Sequence, residues 1–241
     1  DLVRVGWLGG SSHLHDLKLL DGMVNKLTPI QEKLQYYVCG FDIRGSVTEI
    51  NKETGEQKQR PIKPDETVWV RYEEIFTNNY KIITPEYKLF LDKFEEGEYP
   101  AIKNENYVRV WTRPVEQYAK NYSNFDISLA PIKNHIFNRM KSQLKVIEAG
   151  FYKKALIASN VGPYTIDLKH ALDKGNFTNG NALLVNENNN HSDWAKNIKK
   201  LVENPNMITD LGERLYETVK DKYDLNIVTK TRAEFYISLI N

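Results

Sequence analysis

The sequence predicts an α/β protein: a Rossmann-like parallel sheet with helices on both faces and one inserted, irregular segment containing β structure. Three observations predict it. Short apolar runs alternate with helical repeats in two stretches, residues 1–43 and 106–241. Strands separated by helices pair in parallel and are covered on both faces. The apolar runs end in Gly, Pro or Asn turns, as buried strands do. The composition, 41% hydrophobic and 27% charged over 241 residues, is that of a globular chain long enough for one large domain.

The elements follow in chain order. Leu2–Leu8 is short and apolar and stops at Gly9-Gly10, so it reads as a core strand. Leu17, Leu20, Val24 and Leu27 recur at helical spacing after Ser11-Ser12, which predicts a helix with one inward face. Leu34–Ile43, rich in Tyr and Val, is a second strand. Residues from about 44 to 105 differ in character. Thr54-Gly55 marks a turn between polar edge strands, Pro61, Pro64 and Pro85 interrupt longer elements, and Pro85–Phe94 is a short helix. This zone reads as an exposed, irregular insertion at one end of the sheet. Alternation then resumes. Tyr107–Trp111 is a strand, Pro114–Tyr122 a helix, Phe125–Ala130 a strand, Asn138–Gly150 a helix and Ala155–Ser159 a strand. Ala182–Val185 is the last strand, and helices over Ser192–Glu203, Ile208–Tyr223 and Ile227–Leu239 close the chain. The whole reads as one domain, residues 1–241. Its abrupt start at Asp1, directly before a core strand, leads us to expect an upstream portion.

Composition also removes function classes. Lys and Arg total 33 and Asp and Glu 32, a net charge of +1, which lacks the basic excess of a nucleic-acid binder. No apolar run reaches the roughly 20 residues needed to span a bilayer, and no signal peptide is visible. Cys39 is the only cysteine, which excludes an internal disulfide and a cysteine-built zinc site and fits a reducing compartment.

In parallel α/β sheets, ligands bind beyond the carboxyl ends of the strands, where the strand order reverses. Three post-strand segments should lie there. The first is Gly9-Gly10-Ser11-Ser12-His13-Leu14-His15-Asp16. Its glycines let a ligand approach the backbone, and the following N–H groups can hold an anion such as a diphosphate. It serves equally as a tight turn capped by Ser12. It is neither a dinucleotide fingerprint nor a Walker motif. His13 and His15 do not share a helical face, so no metal site is expected. The second is Phe137–Gly150, in which Lys141, Lys145 and Glu148 would share one helical face and Met140, Leu144 and Ile147 the apolar one. The ammonium groups suit phosphate, and a carboxylate suits a sugar diol. A solvated amphipathic face explains the same pattern. The third, Ser159–Tyr164, is a turn that either contacts a ligand or is purely structural.

Taken in order, Phe125–Pro131, Lys141–Gly150, Ala155–Tyr164 and Asn179–Val185, followed by Trp194, resemble the C-terminal domain of retaining glycosyltransferases of the GT-B fold, most of all glycosyltransferase family 4 (group 1). The resemblance is good over 106–223 and loose over 2–43. It implies a two-domain enzyme whose C-terminal half binds a nucleotide-sugar, UDP- or GDP-linked, and whose N-terminal half, absent from this chain, binds a glycan or lipid-linked acceptor. It implies a hexosyltransferase of bacterial-type polysaccharide synthesis, without metal or cofactor, in the cytoplasm or peripheral to the inner membrane face. The isolated domain would be inactive. Glu148 matches the family glutamate that binds ribose, whereas Met140 stands where a second glutamate contacts the donor sugar. Asn138, Lys141-Ser142 and Lys145 resemble a run found in a subset of these enzymes. The family's Arg and Lys after the first strand are replaced by the Ser and His loop. The resemblance thus assigns the nucleotide-sugar to Gly9, Gly10, Ser11, Ser12, His15, Asn138, Lys141, Ser142, Lys145 and Glu148, and assigns no catalytic residue. Three alternatives stay open: a non-catalytic sugar-nucleotide-binding or assembly module of a polysaccharide synthase, a sugar-nucleotide epimerase on a similar fold, and an α/β domain whose edge loops bind nothing.

Overall fold

A computed structural model describes residues 2–42, 44–78, 106–186 and 191–240. Strand β1 (Val3–Leu8) is central. On one side it pairs with β2 (Leu34–Phe41), which in turn pairs with β5 (Tyr107–Trp111). Between them in sequence lies the antiparallel hairpin β3 (Ser46–Ile50) and β4 (Gln57–Pro61), which forms its own small sheet. On the other side β1 pairs with β6 (Ile127–Ala130), followed by β7 (Ala155–Ser159). A second hairpin, β8 (Leu172–Asp173) and β9 (Asn176–Phe177), precedes β10 (Leu183–Val185) at the far edge. The main sheet has order β10-β7-β6-β1-β2-β5, and every pair in it is parallel. The strand order therefore reverses between β1 and β6.

Side chains alternate across the sheet as the two-residue period requires. Val5, Trp7, Ala155 and Ile157 join one core, with Leu17, Met23, Trp69, Tyr72 and Trp194. Leu8, Leu156 and Ala158 join the other, with Tyr122, Val146 and Ala149. Helix Pro205–Tyr223 serves both: Met207 and Leu211 enter the first core, Leu215 and Val219 the second.

Three expected helices take other forms. The Leu17–Leu27 repeat is split into Leu14–Leu17, a 3-10 turn over Lys18–Leu20 and Met23–Leu27, because Gly22 sits at φ 90° between them. Pro114–Tyr122 shortens to Val115–Tyr118 and continues as a 3-10 turn. Asn138–Gly150 is interrupted: Ile136–Arg139 and Leu144–Phe151 are separate helices. The zone expected to be irregular and exposed contains the polar hairpin at β3 and β4, but also a helix, Val68–Phe76, that buries Trp69, Tyr72, Ile75 and Phe76 and forms the crossover from β2 towards β5. The helix expected over Pro85–Phe94 lies outside the described residues.

Beneath that crossover helix is a buried ion pair. Glu73, with no exposed surface, accepts hydrogen bonds from the Arg109 guanidinium and, at 3.0 Å, from the Tyr107 hydroxyl.

Candidate functional site at the β1–β6 crevice

Where the strand order reverses, β1 delivers Leu8, Gly9 and Gly10 and β6 delivers Pro131 to His135. The glycine turn is fixed from below. Gly9 N donates to Cys39 O at 3.1 Å, and Gly40, at φ 101°, lies so close that a Cβ there would stand 2.2 Å from Gly9 O. From the side, the Tyr72 hydroxyl accepts from His13 N at 2.8 Å and donates to Gly10 O at 3.1 Å. The space where a Gly10 side chain would project is open to 4 Å. Ser11, Ser12 and His15 are exposed on the 3-10 turn and helix that follow.

Asp16 ties this loop to the one after β6. Its side chain is buried, and Oδ1 accepts from Lys133 N at 2.9 Å and from the Asn138 amide at 2.8 Å. Its Oδ2 faces His13 Nδ1 at 3.2 Å and Lys141 Nζ at 4.0 Å. Burial works to raise its pKa, but the hydrogen bonds from His13, Lys133 and Asn138 and the Lys141 charge outweigh that and hold it below the ordinary value. The Asn138 amide also donates to Lys133 O at 2.9 Å. It is spent on shaping the loop, a use of Asn that competes with helix formation. At the other end of the break, the Gln143 amide donates to Asp167 at 2.5 Å and to the Tyr223 hydroxyl. These two anchors explain why the helix stops at Arg139 and restarts at Leu144.

On the restarted helix, Lys145 and Glu148 are three residues apart and share a face. The Lys145 ammonium donates to Leu8 O and lies 5.4 Å from the Trp7 ring centroid. Burial lowers its pKa to about 8, partly offset by the charges of Glu148 and Asp16. Glu148 is half-buried; burial raises its pKa, opposed by the hydrogen bond it accepts from the Tyr122 hydroxyl at 3.0 Å and by Lys145. The crevice thus offers an open glycine backbone, a desolvated ammonium and an oriented carboxylate. Beside it lies a cavity of about 350 Å³ lined by His15, Lys133, His135, Ser159, Asn186 and Trp194.

No family model matches the chain, and no curated protein matches it. Solved structures do. Sucrose-phosphate synthase from Thermosynechococcus elongatus superposes at a TM-score of 0.59 and 16% identity, covering 100% of this chain and 46% of that one. HepE from Anabaena, in complex with UDP-glucose, superposes at 0.55 and 11% identity, covering 99% and 49%. The C-terminal domain of a glycosyl transferase group 1 family protein, LpcC from Francisella tularensis, superposes at 0.50 and 14% identity, covering 92% and 87%. The fold is that of a GT-B C-terminal domain. The chain spans about half the length of the first two neighbours.

Within this fold the ten candidate residues divide into three groups. Gly9, Gly10 and Lys145 meet at the crevice, with Glu148 one turn further along the same helix on the Tyr122 hydroxyl and Lys141 beside Asp16 at the rim. Ser11, Ser12, His15 and Ser142 are exposed around it. Asn138 is buried beneath it. The reading of Lys141, Lys145 and Glu148 as one helical stripe is corrected: Lys141 lies in the break at 140–143, held near the Phe137 ring at 4.9 Å. The expected apolar face is corrected too. Met140 and Leu144 are exposed, and the helix packs through Val146, Ala149 and Gly150 instead. Sequence reasoning missed Asp16, Tyr72 and Tyr122 as organisers. For Asp16 a local signal existed, a lone acid beside two histidines. For the tyrosines none did.

Proposed function

We propose that this domain binds the nucleotide-sugar donor of a glycosyltransferase. The observation that carries the reading is the placement of Lys145, on Leu8 O, and Glu148, on the Tyr122 hydroxyl, along one helix beside the β1–β6 reversal and its open Gly10 turn. The carboxylate, oriented by Tyr122, suits the two ribose hydroxyls. The ammonium and the N–H groups of Gly10 to Ser12 suit the diphosphate, with Lys141 and Ser142 at the rim. Stabilising the departing diphosphate is the catalytic contribution of such a half, since charge collects there as the glycosidic bond breaks. HepE, which shares the fold, is described in complex with UDP and with UDP-glucose, which supports a uridine or related nucleotide here. Transfer of a hexose with retention, to a glycan or lipid-linked acceptor held by a second domain, completes the proposal.

Calorimetric titration with UDP, GDP and ADP tests it. One nucleotide is expected to bind saturably, and Glu148→Gln to weaken it roughly tenfold, the loss of one charge-assisted hydrogen bond. Unchanged affinity in the variant would remove Glu148 from the site. The pH dependence has a definite sign. Lys145 carries its proton below about 8 and loses it above, so affinity for the diphosphate should fall between pH 7 and pH 9.5. Lys145→Met should bind weakly throughout and lack that limb.

One observation favours a second reading, that the protein binds the donor without transferring it. Met140, where the family carries a sugar-contacting glutamate, is 78% exposed and has no carboxylate to offer. Restoring it by Met140→Glu in a protein that carries both halves, and assaying hydrolysis of the bound nucleotide-sugar, would discriminate. A gain in turnover supports the binding module; no change leaves the transferase reading in place.

A further inference from the structure

A second basin lies away from the crevice, between the β8–β9 hairpin and helix His191–Glu203, and holds about 580 Å³. Four lysines line it, Lys174, Lys196, Lys199 and Lys200, against two carboxylates, Asp193 and Glu203. Glu203 is already engaged by Lys199 at 3.8 Å. Two further side chains point to a ligand, and the turn that carries Lys174 gives a handle for testing it. Asn197 is 7% exposed and lines the basin, and its amide has no hydrogen-bond partner among the described residues. Its amide is therefore free to hydrogen-bond a ligand in the basin. His170 accepts from Leu184 N on Nδ1 at 2.8 Å, which fixes the proton of the neutral ring on Nε2 as a donor. Finally, Lys174 sits at φ 47° beside Gly175 at φ 85°, a two-residue hairpin turn with both central residues left-handed. Such turns favour Asn-Gly, so Lys174 occupies a conformation that suits asparagine better.

We propose that this basin is a second ligand site, for an anionic oligosaccharide bearing phosphate, sulfate or carboxylate groups. The lysines meet the charged groups. The Asn197 amide, a donor and acceptor together, and the His170 Nε2 donor meet hydroxyl groups. Asn186 lines both this basin and the 350 Å³ cavity at the crevice, so a bound chain is led towards the site where the donor is proposed to sit. The recognition chemistry itself does not depend on the donor reading.

The test is titration of the protein with three oligosaccharides of equal length, one phosphorylated, one carboxylated and one neutral, at two salt concentrations. At least one anionic chain is expected to bind saturably and the neutral one at least tenfold more weakly. Lys174→Asn should weaken binding about fivefold while raising Tm, because it fits the turn better. Asn197→Ala changes no charge, and should also weaken binding about fivefold, the worth of one hydrogen bond. Glu148→Gln should leave it unchanged, which separates this site from the crevice. Non-saturating binding abolished by salt, or Asn197→Ala binding as the parent does, would reduce the basin to a patch of surface lysines and overturn the proposal. Equal binding of the neutral chain would overturn it as well. The more strongly bound anionic chain identifies the charged group.

Discussion

Glu73→Ala is expected to lower folding stability by about 3–5 kcal/mol, the cost of breaking a buried ion pair on one side only. Arg109, 7% exposed, would keep its charge and lose the carboxylate it faces, and the Tyr107 hydroxyl would lose its acceptor. Both sit on β5, the edge strand, and Glu73 sits on the helix that crosses to it, so the damage falls on the docking of one to the other. Urea denaturation followed by tryptophan fluorescence reads it, since Trp69 and Trp111 lie in the same core. A loss below about 1 kcal/mol would mean that water reaches the guanidinium and the pair is not buried in solution. Glu73→Gln should fall between the two, because it keeps an acceptor while removing the charge.

Asp16→Ala is expected to cost about 2–3 kcal/mol of stability and to reduce nucleotide affinity at least tenfold. Lys133 N and the Asn138 amide would lose an acceptor in a buried place, and the β1 and β6 loops would lose their shared anchor. Asp16→Asn keeps the shape and offers one oxygen, so it should retain more stability than affinity. The acid limb adds an independent reading. Because the folded pKa of Asp16 is depressed, its contribution is present above the unfolded value, near 3.8, and lost as pH falls below it. The parent should therefore lose stability below about pH 4 more steeply than Asp16→Asn. Parallel acid limbs would show that the carboxylate is not held by these donors.

The sequence carries the sheet well because each strand is a local signal. Val3–Leu8, Leu34–Phe41 and Ala155–Ser159 are apolar runs closed by turn residues, and nothing distant is needed to recognise them. What it hides is set by distant partners. Helix Val68–Phe76 mixes Trp, Tyr and Ile with Arg71, Glu73 and Glu74, so its pattern looks like surface. Glu73 is buried against Arg109, 36 residues later, which no local pattern announces. The break at 140–143 is likewise decided by Asp16, 122 residues before Asn138, and by Tyr223, 80 residues after Gln143. At the crevice, the glycine turn and the Lys145 and Glu148 spacing are visible in the chain. The acceptors and hydroxyls that aim them are not, because each comes from another element.

The Tyr72 hydroxyl, which pins the Gly10–His13 turn, bears on how the domain can be cut and recombined. A chimera that exchanged the whole stretch from 44 to 105 for a short linker would remove the brace of a loop that is distant in sequence. The removable module is smaller. Ile62 N donates to Gly45 O at 3.1 Å, so the two ends of the β3–β4 hairpin already touch and can be rejoined by a short turn. Among the described residues, excising 46–61 sacrifices one exposed ion pair to the remaining chain, Arg60 with Glu66, and leaves Tyr72 in place. Grafting at that seam is the route by which this fold can take up a new surface without disturbing its crevice.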